Sequence, residues 1–166
     1  MAVAYARRET PYGTWWVAWT QAGVCAAAPP ETTERAFAAM LRAEHGEPPA
    51  PGDPEAVPEA VDWSVIPDGF RKLVLQACAE IPLGEVRSYG ELADEVGHPR
   101  AARAVGTVMA TNSLPLFVPC HRVVRGDGRL GEYGAGGPAR KAAMLGVEGV
   151  ALDGREATAR VLRSRA

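Results

Sequence analysis

The first third of the chain alternates apolar and polar positions in short runs that are typical of β-strands. The turn signal Pro11-Tyr12-Gly13 separates the first two runs, and helical spacing follows over residues 32–44, where Thr32 or Thr33 is available as N-cap. The three predicted strands span residues 2–5, 14–20 and 24–28. This pattern predicts a small sheet-plus-helix domain over residues 1–45.

A proline-rich segment then interrupts the pattern. Five prolines lie between Pro48 and Pro58, among glycine and acidic residues, so residues 46–67 are predicted to be a linker without regular structure. From residue 68 to residue 166 the apolar spacing is mostly helical. The predicted helices span residues 70–81, about 100–110 and 138–145. We therefore predict an α+β protein with a mostly helical second domain.

Two short helices are predicted in the middle of this second domain. The sequence Ser88-Tyr89-Gly90-Glu91 fits a capping box that starts one helix, and Gly97-His98-Pro99 ends it and starts the next. Helices joined in this way form either a helix-turn-helix, whose second helix commonly reads DNA, or a plain helical hairpin. The pattern alone leaves both interpretations open.

Composition narrows the class of protein. The chain has 166 residues, of which 47% are hydrophobic, and this is enough for one ordinary core or two small lobes. No apolar run approaches the ~20 residues that cross a bilayer. Arg7 and Arg8 also stand where a secretory signal needs its apolar core. We expect a soluble, cytoplasmic protein without a membrane segment.

Basic residues concentrate in the second part of the chain. Residues 1–68 carry 4 basic and 10 acidic groups, whereas residues 69–166 carry 14 basic and 10 acidic groups. Between His98 and Arg129 there are five arginines and a single acid, Asp127. The net charge of −2 conceals this positive patch, which suits contact with phosphate groups.

Cys120 and His121 form the candidate reactive pair. The apolar run 114–118 predicts a strand that ends at this pair, where a thiol beside a base can become a thiolate nucleophile. A buried structural cysteine and a thiol hydrolase are the alternatives. Cys25 and Cys78 lie in apolar surroundings and are expected in the core. The cysteine spacing indicates no metal site, and the glycine spacing matches no nucleotide-binding fingerprint, so we expect no cofactor.

Several motifs between residues 81 and 149 occur in the order and spacing of one protein family. They are Ile81-Pro82-Leu83-Gly84-Glu85-Val86-Arg87-Ser88-Tyr89-Gly90-Glu91-Leu92-Ala93, Ala101-Ala102-Arg103-Ala104-Val105-Gly106, Asn112 and Pro119-Cys120-His121-Arg122-Val123. On these motifs the chain closely resembles the O6-alkylguanine-DNA alkyltransferases, also called methylated-DNA–protein-cysteine methyltransferases. The sequence Thr10-Pro11-Tyr12-Gly13 carries a weaker match to the first domain of that family.

The resemblance implies a fold and a function. It implies that residues 68–166 form a winged helix-turn-helix-like domain for catalysis and DNA binding. It also implies a monomer that acts on double-stranded DNA containing O6-alkylguanine, bound through the minor groove, without a metal or other cofactor. In this family a cysteine takes the alkyl group irreversibly, so that each molecule acts once. Cys120 matches that acceptor.

The same resemblance implies roles for four residues around Cys120. His121 is linked to the thiol through a water, Glu148 orients the imidazole, and Tyr89 donates toward the leaving guanine. Asn112 ties the end of the second helix to the active-site turn. A packed histidine, an ordinary carboxylate, an aromatic residue at a helix start and an asparagine at a helix end are the alternatives for these positions.

The resemblance also implies a DNA surface and a substrate pocket. Arg103 matches the arginine that fills the space left by a flipped base, although without the resemblance a solvated arginine is the simpler interpretation. The residues implied to contact DNA are Arg103, Ala102, Tyr89, Arg100 and Arg122. The residues implied to form the substrate pocket are Met109, Pro115, Val123, Tyr133 and Gly134. The basic tail over residues 151–166 either contacts DNA or forms a solvated terminal helix.

Two other functions fit parts of the same sequence. One is a non-catalytic lesion binder of the alkyltransferase-like kind, which lacks the acceptor cysteine, and the presence of Cys120 argues against it. The other is a helix-turn-helix transcription factor with an incidental thiol, which would bind undamaged DNA in a sequence-specific way.

Overall fold

A computed structural model describes residues 2–162, and these residues form two compact units. The first unit comprises residues 2–67 with residues 113–117, and the second comprises residues 68–112 and 118–162. Both units together contain strands and helices, which confirms the predicted α+β class. Within residues 2–162, every helix is too short or too polar to span a membrane.

The first unit is built on a four-stranded sheet in the order β3-β2-β1-β4. Its strands are β1 (Ala4–Thr10), β2 (Gly13–Thr20), β3 (Gly23–Ala28) and β4 (Ala50–Pro51). The first three are antiparallel neighbours, as the alternation predicted, whereas β4 pairs with β1 in parallel. The first strand ends at Thr10 rather than at residue 5, because its pairing with β2 continues through the polar residues that precede the turn.

One helix packs on this sheet through aromatic contacts. Thr33, one of the two predicted N-caps, caps α1 (Glu34–His45) by accepting a bond from a backbone N–H of the first turn. Phe37 on the buried face of α1 stacks on Trp16, with ring centroids 5.9 Å apart, and meets Tyr5 edge-on. These rings form the centre of the hydrophobic core of the first unit.

The proline-rich residues 46–67 belong to the first unit and contain short regular elements, contrary to the prediction. Besides β4, two 3₁₀ turns lie at Pro54–Ala56 and Trp63–Val65. The N–H of Gly52, just after β4, donates to the carbonyl of Tyr5 at 2.8 Å. Proline is compatible with an edge strand and with the start of a 3₁₀ turn because neither position uses the missing N–H.

The described part of the second unit contains four helices and a short parallel strand pair. The helices are α2 (Phe70–Ala79), α3 (Tyr89–Glu95), α4 (Ala102–Ala110) and α5 (Gly137–Val147). The strands are β5 (Arg87–Ser88) and β6 (Val123–Val124). The strand pair places the start of α3 beside the residues that follow the Cys-His motif. α3 and α4 pack against each other.

The boundaries of α3 and α4 follow the predicted signals. The hydroxyl of Ser88 accepts a bond from the N–H of Glu91 at 3.1 Å, as a capping box requires. Gly97 follows α3 with φ of 81°, a left-handed conformation that favours glycine. α4 begins at Ala102, two residues later than predicted, because Ala101 still belongs to the turn and donates to the carbonyl of His98 at 2.9 Å.

The apolar run 114–118 is not a strand, so the prediction of a strand that ends at the Cys-His pair was wrong. Pro115 and Pro119 cannot donate to a ladder, and Leu116 takes a left-handed backbone conformation with φ of 76°. Cys120 instead starts the 3₁₀ turn Cys120–Arg122. The chain leaves the second unit after residue 112 and re-enters it at residue 118, which the sequence did not indicate.

The segment 151–162 is not a helix either, which corrects the alternative of a solvated terminal helix for this part of the tail. It folds back on residues 128–131 through backbone hydrogen bonds. The N–H groups of Leu130 and Gly131 donate to the carbonyls of Ala159 and Ala157 at 2.8 and 2.9 Å. Arg163 and Arg165 of the predicted basic tail lie outside the described residues.

Alanine substitution at two glycines in open surroundings tests the effects of backbone strain and of helix propensity on stability separately. A Cβ at Gly97 or at Gly106 would meet no atom within 4 Å, so neither substitution causes a clash. We expect Gly97→Ala to destabilise the protein by about 1 kcal/mol, because alanine disfavours positive φ. Gly106→Ala, inside α4, should stabilise it by about 0.5–1 kcal/mol. Urea denaturation of both variants checks this, and equal shifts of the same sign would contradict it.

Candidate active site

Cys120 lies on the turn that begins the candidate site, with only 6% of its surface exposed. Its N–H donates to the carbonyl of Val118 at 2.7 Å, and the side-chain amide of Asn112 donates to that same carbonyl at 3.1 Å. Asn112 therefore joins the segment after α4 to the turn that carries the thiol. Burial raises the pKa of Cys120, while a hydrogen bond from Asn112 and the positive charge of Lys141 act in the opposite direction.

The other two cysteines are poorer nucleophiles. Cys25 and Cys78 are buried and free, and both are almost fully removed from solvent. Burial raises the pKa of Cys25 to about 12 and also raises the pKa of Cys78 well above its ordinary value. Among the three cysteines, Cys120 alone lines the cavity described below.

A buried carboxylate holds the imidazole next to Cys120. The Nε2 atom of His121 lies 2.7 Å from Oε2 of Glu148, and His121 is fully buried. Burial lowers the pKa of His121, whereas the hydrogen bond and the charge of Glu148 raise it. Burial prevails, so the imidazole is neutral in the resting protein. A neutral imidazole can accept a proton, and the adjacent carboxylate would stabilise the cation that results.

Arg122 faces this same carboxylate, and its placement corrects the prediction that it contacts DNA. Its Nε and Nη2 atoms donate to the two carboxylate oxygens of Glu148 at 2.8 and 3.0 Å. Its Nη1 atom donates to the carbonyl of Ile81 at 2.7 Å. The guanidinium is therefore committed inside the protein, where the paired geometry keeps the carboxylate ionised and aimed at His121.

Lys141 is the main site residue that the sequence analysis missed. It lies in α5 with 1% of its surface exposed, and its Nζ donates to the carbonyls of Val123 and Leu130 at 2.6 Å each. A longer bond of 3.4 Å reaches the carbonyl of Glu132. Burial lowers the pKa of Lys141 to about 8. The only sequence signal was a lysine among the apolar positions of α5.

A small cavity of about 80 Å³ opens beside Cys120. Four further residues from the predicted site line it, and they come from α3, α4 and the glycine-rich loop over residues 131–136: Tyr89, Met109, Tyr133 and Gly134. A Cβ on Gly134 would come within 2.8 Å of the carbonyl of Ala110, so glycine lets this loop contact the end of α4. Gly106, Ala110 and Glu132 complete the lining.

Pro115 and Val123, both predicted for the pocket wall, do not line this cavity. Pro115 belongs to the segment 113–117 of the first unit. The side chain of Val123 is fully buried, its N–H donates to the carbonyl of Cys120, and its carbonyl accepts the bond from Lys141. Val123 thus contributes to the site through these two backbone hydrogen bonds, outside the lining of the cavity.

Tyr89 and the arginines predicted for DNA occupy different surroundings. Tyr89 is half-buried at the start of α3, and burial is the main reason that its pKa is raised, so its hydroxyl keeps its proton at neutral pH. Arg100 and Arg103 are exposed just before and just inside α4, and Ala102 is the first residue of that helix. Within residues 2–162, no group of three or more His, Cys, Asp or Glu side chains is placed to hold a metal ion.

The lowered pKa of Lys141 predicts a pH-dependent effect on stability. Below pH 8 both the folded and the unfolded chain carry this proton, and the folded protein bears the cost of burying it. Between pH 8 and 10.5 only the unfolded chain binds the proton. The contribution of Lys141 to the free energy of unfolding therefore increases as the pH rises. The free energy of unfolding of the wild type should therefore rise by up to about 3 kcal/mol across this range relative to that of Lys141→Met.

Urea denaturation at several pH values measures this difference. Lys72→Met serves as the control, because Lys72 forms an ion pair at 3.0 Å with an exposed partner, Asp68. A constant difference between the wild type and Lys141→Met from neutral pH to pH 10 would contradict the assignment.

Comparison with known proteins identifies relatives of this chain. A family model for the DNA-binding domain of 6-O-methylguanine DNA methyltransferase matches residues 69–150. Over 79 residues the chain is 51% identical to the methylated-DNA–protein-cysteine methyltransferase of Mycobacterium bovis, a match that covers 48% of this chain and 47% of that protein. The chain thus spans about half the length of the curated relatives it matches.

Solved structures match over most of both chains. The structure of Mycobacterium tuberculosis O6-methylguanine methyltransferase is 30% identical, covers 88% of this chain and 92% of its own, and has a TM-score of 0.61. A structure of Mycobacterium tuberculosis OGT in complex with DNA gives a TM-score of 0.62 at the same identity, over 88% of this chain and 93% of its own. On this extent of likeness, the chain belongs to the O6-methylguanine-DNA methyltransferase family.

Proposed function

We propose that this protein repairs O6-alkylguanine in double-stranded DNA by a single, irreversible transfer of the alkyl group to Cys120. The observation that carries the proposal is the cavity lined by Cys120 and Tyr89, next to the buried pair of His121 and Glu148. A thiol, a neutral base with its carboxylate, and a protonated phenol are the groups that this displacement needs.

The reaction forms one bond and breaks one. The Cys120 thiol gives its proton through a water to His121, and the sulfur attacks the alkyl carbon. As the S–C bond forms, the bond from carbon to guanine O6 breaks and its electron pair stays with the base. Tyr89 donates a hydrogen bond to the base as it gains charge, and Glu148 stabilises the imidazolium. The resulting thioether has no leaving group that water displaces, so each molecule acts once.

DNA binding in this proposal uses α3 and α4 as a helix-turn-helix. α4 enters the minor groove, the damaged nucleotide is flipped out of the stack, and Arg103 fills the space it leaves. The exposed position of Arg103 and the small residues Ala102 and Gly106 on α4 support this arrangement. The solved complex of a family member with DNA supports DNA binding itself. We further propose that the protein acts as a monomer in the cytoplasm, where three free cysteines are compatible with a reducing environment.

The first test is the fate of Cys120. After incubation with a duplex that contains O6-methylguanine, we expect the Cys120 peptide to gain the mass of one methyl group, with one methyl per protein molecule. Cys120→Ala should show no gain and should leave the lesion in the DNA. Cys25→Ala is the matched control and should behave as the wild type. An unmodified Cys120 peptide together with a persistent lesion would refute the transfer, and many turnovers on an ester would favour a thiol hydrolase.

The second test concerns Arg103. Arg103→Ala should slow repair of duplex DNA by about tenfold or more, because base extrusion costs a few kcal/mol and only the duplex requires it. Transfer from free O6-alkylguanine should stay within about twofold of the wild type. Single-turnover kinetics with both substrates measure this, with Arg35→Ala, at an exposed arginine of the first unit, as a charge-matched control. Equal losses on the two substrates would reject the extrusion role.

A further inference from the structure

We propose that Glu132 selects among O6 substituents by their charge, so that the site transfers anionic alkyl groups slowly and cationic ones readily. This inference rests on the proposed function. Of the eight residues that line the cavity beside Cys120, Glu132 is the only one with a carboxylate side chain. The others are glycine, alanine, methionine, tyrosine and the protonated thiol of Cys120.

The loop that carries Glu132 is held in place on both sides of this residue. Gly131 has φ of 72°, and a Cβ there would lie 3.3 Å from the Arg125 side chain and 3.7 Å from the hydroxyl of Tyr89. Gly134 lies against the carbonyl of Ala110. The loop therefore lies tightly between Tyr89 and the end of α4.

Backbone hydrogen bonds add to this restraint. Lys141 binds the carbonyls of Leu130 and Glu132, and the N–H groups of Leu130 and Gly131 bind the C-terminal segment. The residue that bears the charge therefore has little freedom to move its backbone away from the cavity. A fixed backbone keeps Glu132 at the cavity beside Cys120.

The field of Glu132 already reaches two groups near the cavity. Burial is the main reason for the raised pKa of Tyr89, and the negative charge of Glu132 raises it further. The same charge opposes the lowering of the Lys141 pKa that burial causes. Glu132 itself is exposed, so its interaction with a bound substituent is partly screened by water and salt.

The chemistry of transfer is the same for substituents that differ only in charge. In O6-carboxymethyl-, O6-carbamoylmethyl- and O6-(2-aminoethyl)guanine, the sulfur of Cys120 attacks a CH₂ carbon attached to O6, and that C–O6 bond breaks. The far end of the substituent is an anion, a neutral amide or an ammonium group of similar size. Glu132 repels the anion, attracts the ammonium group and has little effect on the neutral amide.

The experiment compares single-turnover rates at saturating DNA for these three lesions and for O6-methylguanine, in the wild type and in Glu132→Gln. Glutamine keeps the size and the hydrogen-bond acceptor of glutamate but removes the charge. We expect Glu132→Gln to raise the rate for carboxymethyl, and to lower the rate for aminoethyl, by about fivefold each. The ratio of the carbamoylmethyl rate to the methyl rate, taken within each protein, should be the same in both proteins to within about twofold.

Salt gives a second measurement. The ratio of the carboxymethyl rate to the carbamoylmethyl rate should rise more steeply with ionic strength in the wild type than in Glu132→Gln, because only the wild type has the charge of Glu132 to be screened. Taking a ratio within one protein removes the effect of salt on DNA binding.

The outcomes separate this inference from the proposed function. If the wild type transfers no methyl group, the proposed function fails. If methyl is transferred but the carboxymethyl and aminoethyl rates are the same in both proteins, charge selection by Glu132 is overturned. If Glu132→Gln changes all four rates by one factor, Glu132 acts on the guanine base or on the loop, and the inference is again overturned.

Discussion

The candidate site depends on the buried carboxylate of Glu148. Removing a carboxylate from water costs several kcal/mol unless it is paired and hydrogen-bonded, and here both of its oxygens accept bonds from Arg122 while one also meets His121. Arg122 is itself tied to the carbonyl of Ile81. One ion pair thus joins the turn after Cys120, the end of α5 and the residues after α2. The orientation of the catalytic turn follows from this arrangement.

A second buried charge fixes the other side of the site. The ammonium group of Lys141 binds the carbonyl of Val123 in β6 and the carbonyl of Leu130 further along the chain. With Glu148 and Arg122 it places three charges within a small volume around two groups that remain neutral, the thiol and the imidazole. The resting site therefore holds its proton on the sulfur of Cys120.

The backbone of the glycine-rich loop is held by hydrogen bonds, and two of its residues line the cavity. Its backbone is bound by Lys141 and by the C-terminal segment, while Glu132 and Tyr133 line the cavity. The family match ends at residue 150, yet the segment after it forms backbone bonds to the residues that lead into the pocket loop. The described part of the basic tail, residues 151–162, thus helps to position the pocket loop.

Local signals in the sequence were sufficient for most of the regular elements. Alternation gave the strands of the first unit, Thr33 and Ser88 marked helix starts, and Gly97 marked a helix end, because caps and turns depend on neighbours within a few residues. The motif around Cys120 also indicated the reactive pair and its family. These features are encoded locally, so they can be read without knowing the fold.

Other features depended on contacts between residues far apart in the chain. The partner of Arg122 lies 26 residues away, and the carbonyls bound by Lys141 lie up to 18 residues away, so neither buried charge was evident from spacing. The same applies to Val123, whose carbonyl accepts a hydrogen bond from Lys141, and to the segment 113–117, which belongs to the first unit. The sequence by itself determined most of the regular elements and indicated the cysteine that we propose as the nucleophile, because those follow from local propensity and a compact motif. Only the tertiary structure decided which charges are buried and which groups face the cavity, because burial and pairing arise from long-range packing.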